Sequence, residues 1–268
     1  MELKELGNTG VMVPEIGLGT WKYRGGADPL RRGVELGANL IDTAEMYRNE
    51  DEVGRAIKGL RDRVFLATKV LGSHLRYDQL MRAAEESLRR LQVDYIDLYQ
   101  IHYPNRSVPI AESMRAMEEL VDAGKVKYIG VSNFSKAELQ EAQEAMTKYP
   151  IVCNQVLYNL NARRIEQDLI PYCQENRITV MAYTPLDDGS LASSPRFRVT
   201  DKSRALDRVV KETGKTRAQV ALNWCTSRLN VIVIPKSNSV ARTEENCGAS
   251  GWRLTSEQVA LLDAAFNH

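Results

Sequence analysis

The chain has 268 residues, and its 36 basic and 35 acidic side chains give a formal net charge of +1. This balance gives no electrostatic reason to expect nucleic acid or an anionic membrane as a partner. No apolar run approaches the roughly 18 residues of a membrane-spanning helix, and the polar N-terminal sequence MELKELGNTG lacks an apolar signal core. We therefore expect a cytoplasmic, monomeric protein whose partners are small molecules.

Cysteine and histidine give no sign of a metal site or of a disulfide. The cysteines lie far apart and without a C-x-x-C spacing, at Cys153, Cys173, Cys225 and Cys247. Buried reduced thiols in a reducing compartment are the expected state. The three histidines are too scattered to complete a zinc site, so we expect no metal.

Short apolar runs alternate with helical segments along the whole chain. Eight runs have the composition of strands: residues 16–19, 39–42, 64–69, 96–101, 126–131, 151–155, 179–183 and 231–235. Alternation of strands with helices indicates a mainly parallel sheet. Eight such units in a chain of this length favour an α/β fold of the closed (β/α)8 TIM barrel type, forming one domain over residues 1–268.

The helices and the chain ends add detail to this architecture. Residues 77–91 repeat apolar side chains on one face, and residues 115–123 also form a predicted helix, with Gly124 as its stop. Residues 3–13 resemble a small hairpin around a Gly-Asn-Thr-Gly turn, and we expect it to cap the barrel floor. Residues 187–201 are rich in Ser, Gly, Pro and Asp, which predicts a long loop.

Polar side chains occur at or just past the carboxyl ends of the predicted strands, where barrel enzymes carry their chemistry. They are Asp42, Lys69, His102, Asn133, Gln155, Tyr183 and Lys236. Tyr47 follows Asp42 closely. A phenol has a reference pKa of about 10; a nearby ammonium makes it a better proton donor, and a carboxylate can hold that ammonium in place.

Each of these residues also has a structural interpretation when it is taken alone. Asp42 would cap the turn after its strand, Tyr47 would pack in the core with a satisfied hydroxyl, and His102 would be a core histidine. Lys69 is different, because a lysine at the end of an apolar strand is costly to bury without a partner. The four together predict a proton-transfer site.

The order of these motifs resembles the aldo-keto reductase family over nearly the whole chain. The matching segments are GLGTW (17–21), IDTAEMY (41–47), TK (68–69), IHYP (101–104), GVSNF (130–134), NQ (154–155), AYTPL (182–186) and IPKS (234–237). The resemblance implies reduction of a carbonyl by hydride from a nicotinamide. Tyr47 would be the general acid, Lys69 would lower its pKa, Asp42 would pair with Lys69, and His102 would orient the carbonyl.

The resemblance also implies a cofactor site. Its residues would be Gly19, Thr20, Asp42, Ser132, Asn133, Gln155, Tyr183, Thr184, Pro185, Leu186, Pro235, Lys236, Ser237, Asn238, Arg242, Glu245 and Asn246. Tyr183 would stack on the nicotinamide, and Gly19 would let the backbone approach the cofactor closely. The chain has no G-x-G-x-x-G fingerprint. Instead the basic cluster around Lys236 and Arg242 suits a 2′-phosphate and favours NADPH over NADH, unless it is a solvated basic edge.

The substrate site would be lined by Trp21, Tyr47, His102 and Tyr103. His74 would either join this lining or, as we expect, lie on the surface. Many relatives have Trp in place of Tyr103, and the chain ends soon after its last predicted helix, as in members resembling diketo-gluconate reductases.

A reductase of aldehydes and ketones is the leading hypothesis. The alternatives are a reductase dedicated to a sugar or keto-acid, and a nucleotide-binding regulatory module with little turnover.

Overall fold

The computed structural model of the protein describes residues 1–194 and 200–267. The chain begins with an antiparallel hairpin of β1 (Leu3–Glu5) and β2 (Met12–Pro14). Eight parallel strands follow in the described part of the chain, and their order in the sheet is their order in the sequence. They are β3 (Leu18–Gly19), β4 (Leu40–Asp42), β5 (Phe65–Val70), β6 (Ile96–Ile101), β7 (Val126–Ser132), β8 (Ile151–Leu157), β9 (Thr179–Tyr183) and β10 (Val231–Val233).

The sheet closes on itself between its first and last strands. Ile16 forms a parallel bridge with Val233, and Gly19 forms one with Lys236. Gly19 is needed for this closure, because a Cβ atom there would lie 2.5 Å from the carbonyl oxygen of Ile234. The predicted (β/α)8 barrel is confirmed.

Helices surround the barrel. Within the described ranges they are α1 (Asp28–Glu35), α2 (Glu50–Ile57), α3 (Tyr77–Leu91), α4 (Ile110–Asp122), α5 (Lys136–Glu144), α6 (Leu169–Glu175), α7 (Asp201–Thr213), α8 (Arg217–Thr226), α9 (Val240–Cys247) and α10 (Ser256–Ala265). The predicted helix 77–91 is confirmed with its bounds. The predicted helix 115–123 corresponds to α4, which begins earlier and ends at Asp122, and Gly124 follows the C-cap residue Ala123 at a φ of 70°.

The N-terminal hairpin covers the barrel floor, as predicted. Leu6 and Val13 are fully buried in a cluster with interior side chains of the barrel strands, including Leu40 and Met181. Gly7 approaches the barrel so closely that a Cβ atom would lie 2.9 Å from the Cβ of Val152. A glycine is required at this contact, and its φ of 58° suits glycine as well.

The predicted long loop begins with a short 3-10 helix, Asp187–Gly189, and ends where Thr200 caps α7 through the backbone N–H of Ser203. Its central residues 195–199 lie outside the described part of the chain. All four cysteines are buried free thiols, as expected. Among the residues described, no helix combines the length and apolarity needed to cross a membrane.

Glu118 of α4 holds the turn before β8. Its carboxylate, 4% exposed, accepts hydrogen bonds from the backbone N–H groups of Thr147, Lys148 and Tyr149 and from the Thr147 hydroxyl. Burial raises the pKa of Glu118, but these donors more than offset it and hold the pKa below its usual value. This interaction therefore stabilises the fold above the ordinary Glu pKa and is lost as the pH falls through the lowered one.

Glu118→Gln is expected to reduce the free energy of unfolding by about 2 kcal/mol at neutral pH, because an amide replaces a charged acceptor of several hydrogen bonds. Urea denaturation at neutral and acid pH measures the effect. The difference from the parent should shrink at acid pH, where the parent carboxyl is protonated. Glu141→Gln, at an exposed position of the neighbouring helix α5, is the matched control. A loss that is equal at both pH values would contradict the role of the charge.

Candidate active site

Neighbouring strands bring the four predicted proton-transfer residues together at the top of the barrel. Asp42 ends β4, Lys69 is the penultimate residue of β5, and His102 directly follows β6. Tyr47 ends a 3-10 helix, Glu45–Tyr47, just after β4. Because parallel strands end at the same edge, four side chains from three consecutive units converge.

The ammonium of Lys69 is fully buried, and each of its N–H donors has a partner. Its Nζ atom donates to Asp42 Oδ2 at 2.7 Å, to the Thr43 carbonyl oxygen at 2.8 Å and to Tyr47 Oη at 3.2 Å. An ammonium can only donate, so the phenol oxygen is the acceptor in the last contact. The phenol proton is therefore free to point into the space above the barrel.

The second oxygen of Asp42 is bound by amides. Gln155 Nε2 donates to Oδ1 at 2.7 Å, and Gln100 Nε2 lies 3.4 Å from the same oxygen. Gln155 was predicted as a cofactor ligand, and the structure also makes it a partner of the carboxylate. Gln100 was missed, although it stands directly opposite Lys69 in the register of β5 and β6. These donors suit an ionised carboxylate.

Burial and charge act in opposite directions on the pKa values of this cluster. Burial lowers the pKa of Lys69, but Asp42 and Tyr47 more than offset it, so the pKa lies above its ordinary value and the amine is charged. Burial raises the pKa of Tyr47, and the Lys69 ammonium offsets only part of that effect. Lys69 thus lowers the pKa of the Tyr47 phenol, as the sequence predicts, but the net pKa of the phenol is raised.

His102 is neutral at physiological pH, because burial and then the Lys69 charge lower its pKa to about 3. Its Nδ1 atom is enclosed and has no hydrogen-bond partner among the residues described. A buried lone pair is cheaper to leave unpaired than a buried N–H, so we assign the ring proton to Nε2, on the cavity side. The ring meets the Tyr47 ring edge-on, with centroids 5.5 Å apart.

A cavity of about 470 Å³ opens above these side chains. Nearly all of the predicted site residues line it: Gly19, Thr20, Trp21, Asp42, Tyr47, His102, Tyr103, Ser132, Asn133, Gln155, Tyr183, Thr184, Pro185, Leu186, Pro235, Lys236, Arg242, Glu245 and Asn246. Lys69 lies behind this wall.

Two predicted cofactor residues, Ser237 and Asn238, are not among the lining residues. The Ser237 hydroxyl donates to the Ser239 carbonyl at 2.8 Å, and Asn238 Oδ1 accepts from the Arg24 backbone N–H at 3.0 Å. Both side chains therefore bind backbone groups, a structural role that the sequence pattern did not reveal, and their predicted contact with the cofactor stays a prediction.

Other residues line the cavity although the sequence did not single them out. They are Met46, Asp188, Gly189, Ala192, Ser193, Ala218 and Ile234. His74, as expected, lies near the surface, and its Nδ1 pairs with Glu45 at 2.8 Å. Trp21 and Tyr103 are each 45% exposed, so the mouth of the cavity is open to solvent on this side.

The cavity has a polar amide region next to the proton-transfer residues. Asn133 has a left-handed backbone with a φ of 62°, and its Nδ2 donates to the His102 carbonyl at 3.0 Å. Tyr183 Oη donates to Asn133 Oδ1 at 2.9 Å, and the Ser132 hydroxyl donates to the Gln155 carbonyl. These contacts fix side chains at the ends of β7 and β9 and bind them to backbone carbonyls at the ends of β6 and β8.

The other region of the cavity is basic. Lys236 follows β10, and Arg242 lies in the first turn of α9, where Ser239 caps the helix. Neither cation has a carboxylate within ion-pair distance in the described ranges of the chain. Two unpaired cations at the N-terminus of a helix favour an anion at this place.

Comparison with known proteins agrees with the fold and with the family resemblance of the sequence. A sequence profile of the Aldo/keto reductase family matches residues 15–267. Methylglyoxal reductase YeaE of Escherichia coli (strain K12) is 39% identical over 267 residues, covering 96% of this chain and 92% of that protein.

Two solved structures are similar as well. A thermostable aldo-keto reductase in complex with the inhibitor epalrestat has a TM-score of 0.92 and 39% identity, covering 99% of this chain and 100% of that one. An aldo/keto reductase from Klebsiella pneumoniae in complex with NADP and acetate has a TM-score of 0.87 and 40% identity. The match covers 96% of this chain and 92% of that one. This chain therefore belongs to the aldo/keto reductase family of oxidoreductases.

Proposed function

We propose that this protein reduces aldehydes and ketones to alcohols with hydride from NADPH. The observation that carries the proposal is the contact between Tyr47 and Lys69 at the wall of the cavity. The phenol oxygen accepts a hydrogen bond from a buried ammonium at 3.2 Å, while the phenol proton remains available to a bound carbonyl.

The cofactor supplies the hydride when it is bound, and the residues of the chain handle the proton. Negative charge develops on the substrate oxygen, and neutral His102 donates a hydrogen bond from Nε2 to that oxygen. Tyr47 transfers its proton to the same oxygen. The Lys69 ammonium then stabilises the phenolate, and Asp42 keeps the amine charged through the 2.7 Å contact.

The lining of the cavity fits nicotinamide adenine dinucleotide phosphate. Asn133 and Gln155 offer amide groups beside the proton-transfer residues, where a carboxamide needs donors and acceptors, and Tyr183 offers an aromatic face. The unpaired cations Lys236 and Arg242 offer an anion site in the other region. The Klebsiella pneumoniae relative was crystallised with NADP, which supports the same choice here.

Arg242→Ala is expected to raise the dissociation constant of NADPH about 10- to 100-fold, because a charge-assisted hydrogen bond to the 2′-phosphate is lost. NADH lacks this phosphate, so its dissociation constant should change little. Fluorescence titration with both nucleotides measures the two effects in one protein. Equal losses for NADPH and NADH would remove Arg242 from phosphate recognition.

For the substrate we propose carbonyl compounds of varied size, because the half-exposed Trp21 and Tyr103 leave the mouth of the cavity wide. One relative is named a methylglyoxal reductase, which supports small dicarbonyls as first candidates. The single-domain organisation over residues 1–268, the monomeric state and the cytoplasmic location stay predictions.

The deciding experiment is the oxidation of NADPH and NADH, followed by the loss of nicotinamide absorbance. The panel contains methylglyoxal, an aromatic aldehyde, an aldose and a keto-acid. Turnover that prefers NADPH supports the proposal. A strong preference for the aldose or the keto-acid would favour a dedicated reductase. Nucleotide binding without turnover of any compound would favour the regulatory module.

A further inference from the structure

Asn49 joins the ends of two barrel strands directly behind the proton-transfer residues. It follows Tyr47 by two positions, and it is 8% exposed. Its Nδ2 donates to the Thr20 carbonyl at 2.8 Å, and its Oδ1 accepts from the Thr43 hydroxyl at 2.9 Å. The Thr20 hydroxyl in turn donates to the Asp42 carbonyl at 2.9 Å. These bonds tie the backbone after β3 to the backbone after β4.

Thr43 connects this hydrogen-bonded link to the Lys69 ammonium. Its carbonyl oxygen is one of the three acceptors of the Lys69 ammonium, at 2.8 Å. Its backbone N–H donates to the Ala67 carbonyl at 2.9 Å, and its side chain is held by Asn49. The residue whose carbonyl binds Lys69 is thus held by Ala67 at its backbone and by Asn49 at its side chain.

Helix capping does not account for Asn49. It occupies the N-cap position of α2, where asparagine commonly accepts a hydrogen bond from the first turn of the helix. In the described structure its side chain makes no such bond. Both of its polar groups instead contact Thr20 and Thr43, on the side of the barrel.

The next residue, Glu50, strengthens the same region from the other side of Lys69. Its buried carboxylate accepts from the hydroxyl of Thr68, the neighbour of Lys69, at 2.6 Å and pairs with Arg90 at 2.8 Å. Between Tyr47 and Asn49, Arg48 has a left-handed backbone with a φ of 55°. This turn lets Tyr47 face the cavity while Asn49 faces the strand ends behind it.

We propose that Asn49 is a positioning residue for proton transfer, which holds the Thr43 carbonyl against Lys69 and thereby keeps the ammonium against the Tyr47 phenol. This inference rests on the proposed function. Asn49 is not among the residues that line the cavity, although Thr20, whose carbonyl it also binds, is one of them. Thr43 does not line the cavity either, so a change at Thr43 tests the link to Lys69 without touching Thr20.

Steady-state kinetics of Asn49→Ala, Thr43→Val and the double variant test the proposal. Asn49→Ala should lower kcat about 10- to 100-fold, a larger factor than any change in KM or in the NADPH dissociation constant. Thr43→Val replaces the hydroxyl with a methyl group of similar size and should lower kcat too. Because both changes break the same link, the double variant should lose no more than the larger single loss. Multiplying losses, or an unchanged kcat in either single variant, would overturn the proposal.

Asn223→Ala is the matched control. Asn223 is a buried asparagine whose side chain binds the backbone of Ala249, Trp252 and Leu254, outside the proton-transfer cluster. It should lower the unfolding temperature and leave kcat unchanged. If Asn49→Ala does not fold, the nearly isosteric Thr43→Val decides alone, since an unchanged kcat there overturns the proposal. The proposed function has a separate test, because full turnover by Tyr47→Phe would contradict it whatever the result for Asn49.

Discussion

Replacing Tyr47 with phenylalanine is expected to lower kcat for carbonyl reduction by about 10²- to 10⁴-fold, which is the usual contribution of a general acid. The ring keeps its packing, since its contacts with Trp21 and His102 are made by the aromatic face and edge. Only the hydroxyl that contacts Lys69 is lost. NADPH affinity should therefore stay close to that of the parent, as fluorescence titration would measure.

Tyr23→Phe is the matched control for this change. Tyr23 is also a buried tyrosine, but its hydroxyl donates to the Gly26 carbonyl in the loop after β3. It should turn over at the parent rate. Full turnover by Tyr47→Phe would contradict the assignment of Tyr47 as the general acid. Equal losses of kcat in both variants would indicate a general loss of packing.

The pH dependence gives an independent view of the same phenol. Burial raises the pKa of Tyr47 and Lys69 offsets only part of that effect, so the phenol stays protonated through neutral pH. Reduction needs the protonated form, and its rate should therefore be flat through neutrality and fall only at alkaline pH. Alcohol oxidation needs the phenolate, and its rate should rise as the pH rises.

The fold was predictable because its evidence is repeated along the chain. Eight apolar runs between helical segments in a chain of this length favour a barrel, and errors at single boundaries do not change that result. The boundaries themselves depend on tertiary contacts. The first strand was predicted over residues 16–19, but the sheet ladder begins at Leu18 and Ile16 contributes an isolated bridge to Val233 at the closure.

The site was predictable where strand ends carry polar residues, and less so where orientation or register decides. Gln100 lies within an apolar strand, and its place opposite Lys69 follows from strand register. Ser237 and Asn238 neighbour Lys236 in sequence, but their side chains bind backbone groups. The raised pKa of Tyr47 depends on burial. Sequence patterns show which residues are close along the chain. They do not show strand register, the partners of a side chain or its burial.

Lys69→Met is expected to affect stability as well as turnover. It removes a cation that is fully buried and bound to Asp42 at 2.7 Å. Asp42 would keep only its amide partners, Gln155 and Gln100, so an uncompensated carboxylate would remain in the barrel. Breaking one side of a buried ion pair costs about 3–5 kcal/mol. Urea denaturation measures this loss, and kcat should fall at least as far as in Tyr47→Phe.

The double variant Asp42→Asn with Lys69→Met separates the two effects. Removing both charges leaves no unpaired ion, so much of the lost stability should return, because a buried ion pair contributes little net free energy compared with neutral residues. Turnover should not return, since the ammonium that stabilises the phenolate is still absent. Failure to recover stability would mean that Lys69 supports the barrel mainly through its contact with the Thr43 carbonyl. Recovered turnover would mean that Tyr47 needs no cation, and the proposed division of roles among these residues would be wrong.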